Sequence, residues 1–329
     1  MIGRRPSRGL EGRGDLKVPR EGQGYSQFLG EPVWPENVLV RKRKRSSAAL
    51  SDCASRRVLV PRANRHFIPG MIWHITHRRH KREFLLKFAR DRQRWLHWLF
   101  EAKKRYGLCV LNYALTSNHV HLLVWDRKVR VRTTIPASLD LVAGRTAQEY
   151  NSRKKRLGAF WQDRYHATAV ETGEHLFRCM VYIDLNMVRA GVVGHPTEWE
   201  FCGYNELMRS RQRYNIIDWK SLTTLLGLKN REELRHAYGE LVKEALRTKR
   251  LSREPIWTES VAVGSKEFVA RAAEALRLRP KQRTIEAVEK LGSDRRIETW
   301  VIRENIRAYR RDFGAPKSPV SNKSAIFID

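Results

Sequence analysis

The stretch from residue 108 to residue 125 constrains the fold of this chain more than any other. Residues 108–115 and 119–125 are two strand-like, largely apolar runs. Only the short polar turn Thr116-Ser117-Asn118 separates them. That spacing predicts an antiparallel hairpin. A further strand is expected at Met71-Ile72-Trp73-His74-Ile75-Thr76, just after the Pro69-Gly70 break.

Around these strands the apolar period changes to that of helices. From about 83 to 105, Phe84, Leu85, Phe88, Trp95, Trp98, Leu99 and Phe100 recur at helical spacings among many charges. A second helix is expected over about 137–152, followed by an edge strand near His166-Ala167-Thr168-Ala169-Val170. A third helix starts after Thr172, a suitable N-cap, and runs to about Ala190, where Gly191 can close it. The order β-α-β-β-α-β-α describes an α+β domain, an antiparallel sheet with helices segregated to its faces.

Beyond about Arg209 the chain reads as separate, with helical patterns around 232–249, 266–276 and 285–310. Residues 1–60 mix Gly, Pro, Ser and Arg without a sustained period and include Arg41-Lys42-Arg43-Lys44-Arg45. They read as a disordered basic arm, either an electrostatic aid to binding or a solvated tail. The expected division is therefore 1–60 arm, 61–210 catalytic domain and 211–329 helical C-terminal extension.

Charge narrows the partners. The chain carries 65 Lys and Arg against 35 Asp and Glu, a formal net charge of +30, which favours a polyanion. Cys53, Cys109, Cys179 and Cys202 are widely separated and form no CxxC pair, so neither a zinc knuckle nor a disulfide framework is expected. No apolar run approaches a membrane span and no signal-peptide block is present. The expectation is a cytoplasmic protein with no membrane partner.

Within the hairpin, His119 and His121 are two apart, so a strand presents both imidazoles on one face while Val120, Leu122 and Val124 turn to the other. Such a pair can hold a metal, and equally can be a hydrogen-bonded surface feature. On the third helix His175, Arg178, Tyr182, Asn186 and Arg189 follow at three- and four-residue steps and share a polar face. Tyr182 and Asn186, one turn apart, suit a nucleophile beside an oxygen ligand. They also suit an amphipathic anchor and a surface amide. His74 and His77 should face opposite sides of their strand, with His80 in the next turn, so these three histidines predict no second metal cluster.

Three ordered blocks resemble the signatures of REP-associated tyrosine transposases, of the HUH single-tyrosine transposase superfamily. They are Asn118-His119-Val120-His121-Leu122-Leu123, Trp161-Gln162-Asp163-Arg164-Tyr165, and the run from Tyr182 through Asn186 to Gly191. The likeness extends over roughly 62–207, including Pro69-Gly70 with the following His74 strand and the late Trp199-Glu200-Phe201-Cys202-Gly203-Tyr204 stretch. The resemblance implies a ferredoxin-like antiparallel sheet of the HUH endonuclease fold, with the histidines on a central strand. It implies that His119, His121 and Asn186 bind a divalent cation, Mg²⁺ or Mn²⁺. It further implies that Tyr182 attacks a phosphodiester to give a 5′-phosphotyrosine bond on single-stranded or hairpin DNA. Two positions depart from the pattern: Ser117 and Met187 stand where the family usually has proline. Neither removes a catalytic atom.

Arg164, Arg178 and Arg189 lie near the signature blocks and are candidates for phosphate contacts. Tyr165 and Trp161 are candidates for stacking on bases, with packing at the sheet edge the stronger expectation for Trp161. The leading reading is a bacterial, nucleoid-associated single-strand endonuclease and strand transferase, with a homodimer as a candidate assembly. Two rivals are a domesticated DNA-binding protein that no longer cleaves, and a relaxase or replication initiator with the same metal chemistry.

Overall fold

The computed structural model describes residues 68–127, 134–162, 164–209, 215–249, 251–276, 283–288 and 298–304. The expected basic arm 1–60 and Asp163 lie outside the described residues. The hairpin forms where the sequence places it. Strand β1 spans Ile72–Arg78, β2 Cys109–Leu115 and β3 His119–Trp125. Both β1 and β2 pair antiparallel with β3, which makes β3 an interior strand. Strand β4, His166–Val170, pairs antiparallel with the other edge of β1.

Helix α1 spans Ala89–Tyr106 and buries Trp95, Leu99 and Ala102, a stripe at successive four- and three-residue steps. Gly107, with φ of 69°, ends it in the left-handed conformation that closes many helices. It starts later than the pattern suggested: a short 3₁₀ turn at residues 80–82, in which Lys81 has φ of 49°, is followed by non-helical chain up to the extended Phe88. Helix α2, Thr134–Arg153, packs against α1. Helix α3, Glu174–Asp184, is shorter than expected. The chain breaks helical geometry at Leu185 and resumes in the single turn α4, Asn186–Arg189. Gly191, at φ of 67°, stops it as anticipated.

The two faces of the sheet follow from register. Thr76 stands opposite His121 and Arg78 opposite His119, so His74, Thr76 and Arg78 share the histidine face. Asn112 and Ala114 of β2 lie on that face too, and the Asn112 amide donates to Asp184 Oδ2 at the end of α3, 3.1 Å away. The opposite face of β1 carries His77, stacked on Trp161, whose indole N–H donates to the Ala143 carbonyl of α2. Helix α3 therefore covers the histidine face, while α2 with α1 covers the other. Helix α5, Gly203–Met208, begins at a glycine for steric reasons: a Cβ at Gly203 would lie 1.9 Å from Asn112 Oδ1.

The region after residue 210 corrects two expectations. Helices α6 (Trp219–Leu225), α7 (Arg231–Arg247), α8 (Ile256–Glu259) and α9 (Lys266–Ala275) are present. Where a helix was expected over 285–310, however, the described residues are strands. Strand β6 spans Arg283–Val288 and β7 Thr299–Glu304, and the two pair antiparallel. Thr284, Ile285, Val288, Thr299, Val301 and Ile302 are β-branched, and Val301 and Ile302 are fully buried, so pleated packing prevails over helical spacing. The helical C-terminal extension is thus an α/β one, and it is not separate. Strand β5, Ala262–Gly264, pairs parallel with β4, which makes the sheet mixed rather than purely antiparallel. Seven strands run in the order β2-β3-β1-β4-β5-β7-β6. One continuous core cluster reaches from Ile72 to Ile302. Among the described residues Cys109, Cys179 and Cys202 are free and buried, and no helix is long and apolar enough to cross a membrane.

Candidate active site

The strand pleat brings His119 and His121 side by side, with ring centroids 4.8 Å apart and nearly perpendicular. From the opposing layer, α3 and α4 supply the other two predicted groups. The Asn186 amide nitrogen donates to His121 Nε2 at 3.0 Å. The Tyr182 ring meets His121 edge-on at 6.0 Å. The break at Leu185 leaves Tyr182 and Asn186 one turn apart, so four residues that the sequence separates by as many as 67 positions converge on one point.

Each imidazole uses Nδ1 for support. His119 Nδ1 lies 2.6 Å from Asn118 Oδ1 and 3.0 Å from Thr116 Oγ1. The Thr116 hydroxyl in turn caps the turn, bonding the His119 carbonyl at 2.9 Å. His121 Nδ1 lies 2.9 Å from His74 Nε2. Burial depresses the basicity of both: His119 is pushed down to about 4, and His121 falls well below the ordinary histidine range. Competition for protons with His119 and His74, and the Arg189 charge, add to the effect at His121, as the Arg78 and Arg79 guanidiniums do at His119. Both rings are therefore neutral at pH 7 and keep a lone pair.

This donor set fits a small divalent cation. Two imidazole Nε2 atoms and, with the Asn186 amide turned over so that Oδ1 replaces Nδ2 beside His121, one amide oxygen would offer two nitrogen donors and one oxygen donor, a combination compatible with Mg²⁺ or Mn²⁺. Among the described residues no group of three His, Cys, Asp or Glu side chains is placed to hold a metal ion, so the third donor would be the amide.

Tyr182 is 6% exposed. Burial raises its phenol above the ordinary tyrosine value, and Arg189 and Arg253 oppose that rise. The Arg189 guanidinium sits 4.1 Å from the centre of the Tyr182 ring and also donates to the Tyr182 carbonyl. Arg253 and Trp257, from the region after residue 210, were not anticipated. Trp257 lies 6.3 Å from the Tyr182 ring, and its only sequence signal is that of an apolar aromatic residue. His74 was anticipated as part of the strand that shares the family likeness, and as no part of a metal cluster with His77 and His80. It nevertheless stacks on His121 at 5.1 Å.

The remaining predicted residues scatter. Arg178 pairs with Glu174 on its own helix at 2.9 Å, and Arg164 is exposed. Tyr165 stands edge-on to His77 at 6.2 Å, on the face away from His121. Trp161 bridges to Arg79 at the end of β1, the expected packing position. His175 turns from the shared polar face toward Glu171 and Thr299.

Comparison with known proteins finds the following likenesses. A REP-associated tyrosine transposase, solved bound to a REP hairpin, is 18% identical over 47% of this chain and 88% of its own, with a TM-score of 0.37. A candidate transposase from Deinococcus radiodurans R1 is 18% identical over 35% of this chain and 88% of its own, with a TM-score of 0.26. No curated protein matches the chain. The family model for IS200-like transposases matches residues 68–186, a span that opens just before β1 and closes on Asn186. It takes in both histidines and Tyr182.

Proposed function

We propose that the chain is a metal-dependent single-strand DNA endonuclease and strand transferase of the REP-associated, single-tyrosine type. Its substrate would be hairpin or repeat DNA. The observation that supports this best is the convergence of Tyr182 and Asn186 on the His119–His121 pair across the sheet–helix interface. His119, His121 and Asn186 would hold Mg²⁺ or Mn²⁺. The bound cation would polarise the scissile phosphate and offset charge on its oxygens.

Tyr182 is the nucleophile in this reading. Its oxygen bonds to phosphorus as the bond to the 3′ oxygen breaks, leaving a 5′-phosphotyrosine and a 3′-hydroxyl. The phenolic proton is lost and the departing oxygen gains one. Attack by a 3′-hydroxyl reverses the step and rejoins DNA without nucleotide hydrolysis. The Arg189 guanidinium over the ring favours the phenolate as it forms. Exposed Arg164, with Arg178, Arg189 and Tyr165, would contact the DNA, supported by a net charge of +30.

The test is incubation with labelled hairpin-bearing single-stranded DNA and Mn²⁺, followed by denaturing gels. A covalent protein–DNA adduct that disappears in Tyr182→Phe and His119→Ala is the expected result. Binding with no adduct across a broad hairpin panel would overturn it.

A further inference from the structure

His74 and Trp257 have no part in the chemistry described so far, yet both are fully or almost fully buried against it. His74 Nδ1 lies 2.8 Å from the Trp257 carbonyl oxygen, a group that only accepts. That nitrogen therefore carries the proton. In a neutral ring with its proton on Nδ1, Nε2 can only accept. The partner 2.9 Å away, His121 Nδ1, must then donate. The lone pair of His121 is left on Nε2, the nitrogen beside Asn186.

We propose that His74 and the Trp257 backbone are positioning groups, a carbonyl–imidazole–imidazole relay that holds His121 in one tautomer and presents Nε2 to the cation. The inference rests on the reading of His121 as a metal ligand. Its direction is fixed because a carbonyl stands at one end and cannot donate. The carbonyl is itself anchored: Thr168 Oγ1 of β4 bonds it at 3.2 Å and the Ser260 carbonyl at 2.7 Å. The Trp257 indole donates to Glu254 at 2.6 Å.

The two histidines thus draw support from different distances. His119 leans on Asn118 and Thr116 in its own turn. His121 leans on a residue 47 positions earlier, and through it on one 183 positions beyond that. The segment after residue 210 so acquires a role: it supplies the acceptor that orients His121, more than a hundred residues earlier in the chain. Outer hydrogen bonds of this kind set ring orientation and ligand basicity, and their loss weakens metal binding by about 10–100-fold.

The test uses the full chain labelled with [¹⁵N]histidine and kept metal-free. Long-range ¹H–¹⁵N correlation should show His74 and His121 each as a single Nδ1–H tautomer. His121 protonated on Nε2, or averaging between forms, overturns the relay. In His74→Phe the single His121 tautomer is lost and Mn²⁺ affinity by calorimetry falls about 10-fold or more. His74→Gln keeps an acceptor toward His121 and stays within about 3-fold of the wild type. Equal losses in both variants, or none in His74→Phe, also overturn it. If His74→Phe does not fold, the wild-type tautomer and His74→Gln decide. Mn²⁺ binding that survives His121→Ala removes the metal reading instead, while the metal-free spectra still judge the relay.

Discussion

Two histidine–aromatic clusters sit on opposite faces of β1, three residues apart, and their ring geometry is similar. His74 stacks on His121 at 5.1 Å with Tyr182 edge-on at 6.2 Å. His77 stacks on Trp161 at 3.9 Å with Tyr165 edge-on at 6.2 Å. The difference lies in what closes each cluster. Around His74 the ring nitrogens form a directed chain that ends on a half-buried amide and a lone pair. Around His77 the Trp161 indole is tied down to α2, and its ring carries the Arg79 guanidinium at 3.5 Å. Aromatic geometry alone does not make a reactive site. Hydrogen-bond direction does, because it decides which nitrogen can receive a cation.

The sharpest way to break this contrast is to remove one hydroxyl from each cluster. Tyr182→Phe should lower the rate of DNA cleavage by on the order of 10³-fold or more, since no other group replaces a lost nucleophile. Tyr165→Phe should leave adduct formation within about 10-fold, the effect of one lost contact. Quantifying the adduct against time for both proteins checks the pair. A loss in Tyr165→Phe as deep as in Tyr182→Phe would make the two faces equivalent and end the distinction.

A second effect is thermodynamic. A ligand that binds only the folded chain stabilises it, by about 2.7 kcal/mol at a hundred times its Kd. Urea unfolding with and without Mn²⁺ should show a gain of that order in the wild type. His119→Ala should lose the gain, because one donor of the pair is gone. His77→Phe should retain it, whatever its own stability, because its face offers the cation nothing. A gain that disappears in His77→Phe would move the metal to the wrong side of the sheet.

How much of this was legible beforehand depends on the range of the interaction. His119 and His121 were legible because a strand's two-residue period fixes their common face without any partner. Tyr182 and Asn186 were legible because one helical turn links them, although the break at Leu185 was not. The opposite orientations of His74 and His77 followed from the same parity. The roles proposed for His74 and Trp257 were not legible, because they depend on a parallel pairing of β4 with β5 and on a backbone carbonyl, which side-chain pattern cannot report. The strands β6 and β7 were missed for a related reason. Ile285 and its neighbours satisfy a helical spacing locally, and only pairing with β5 and the burial of Val301 and Ile302 decides for the sheet.

The smallest expected effect tests whether the His77 cluster is held by packing or by charge. Arg79 is fully buried between Phe160 and Trp161, at 4.4 Å and 3.5 Å from their ring centres. None of its three side-chain nitrogens has a protein hydrogen-bond partner. Burial pulls its basicity well below the ordinary arginine value, and only the nearby Asp91 and Tyr150 oppose that. Asp91 is itself engaged by Arg153. Truncation in Arg79→Ala should cost about 2–3 kcal/mol, from the emptied slot between two rings and the lost cation–π contact. Arg79→Met fills much of the same volume without a charge, and should change stability by less than about 1 kcal/mol, since an uncompensated buried charge is costly to keep. Urea midpoints at constant slope measure both. If Met proves as damaging as Ala, the guanidinium's charge holds this face together. The two clusters would then differ in which charge they manage rather than in whether they manage one.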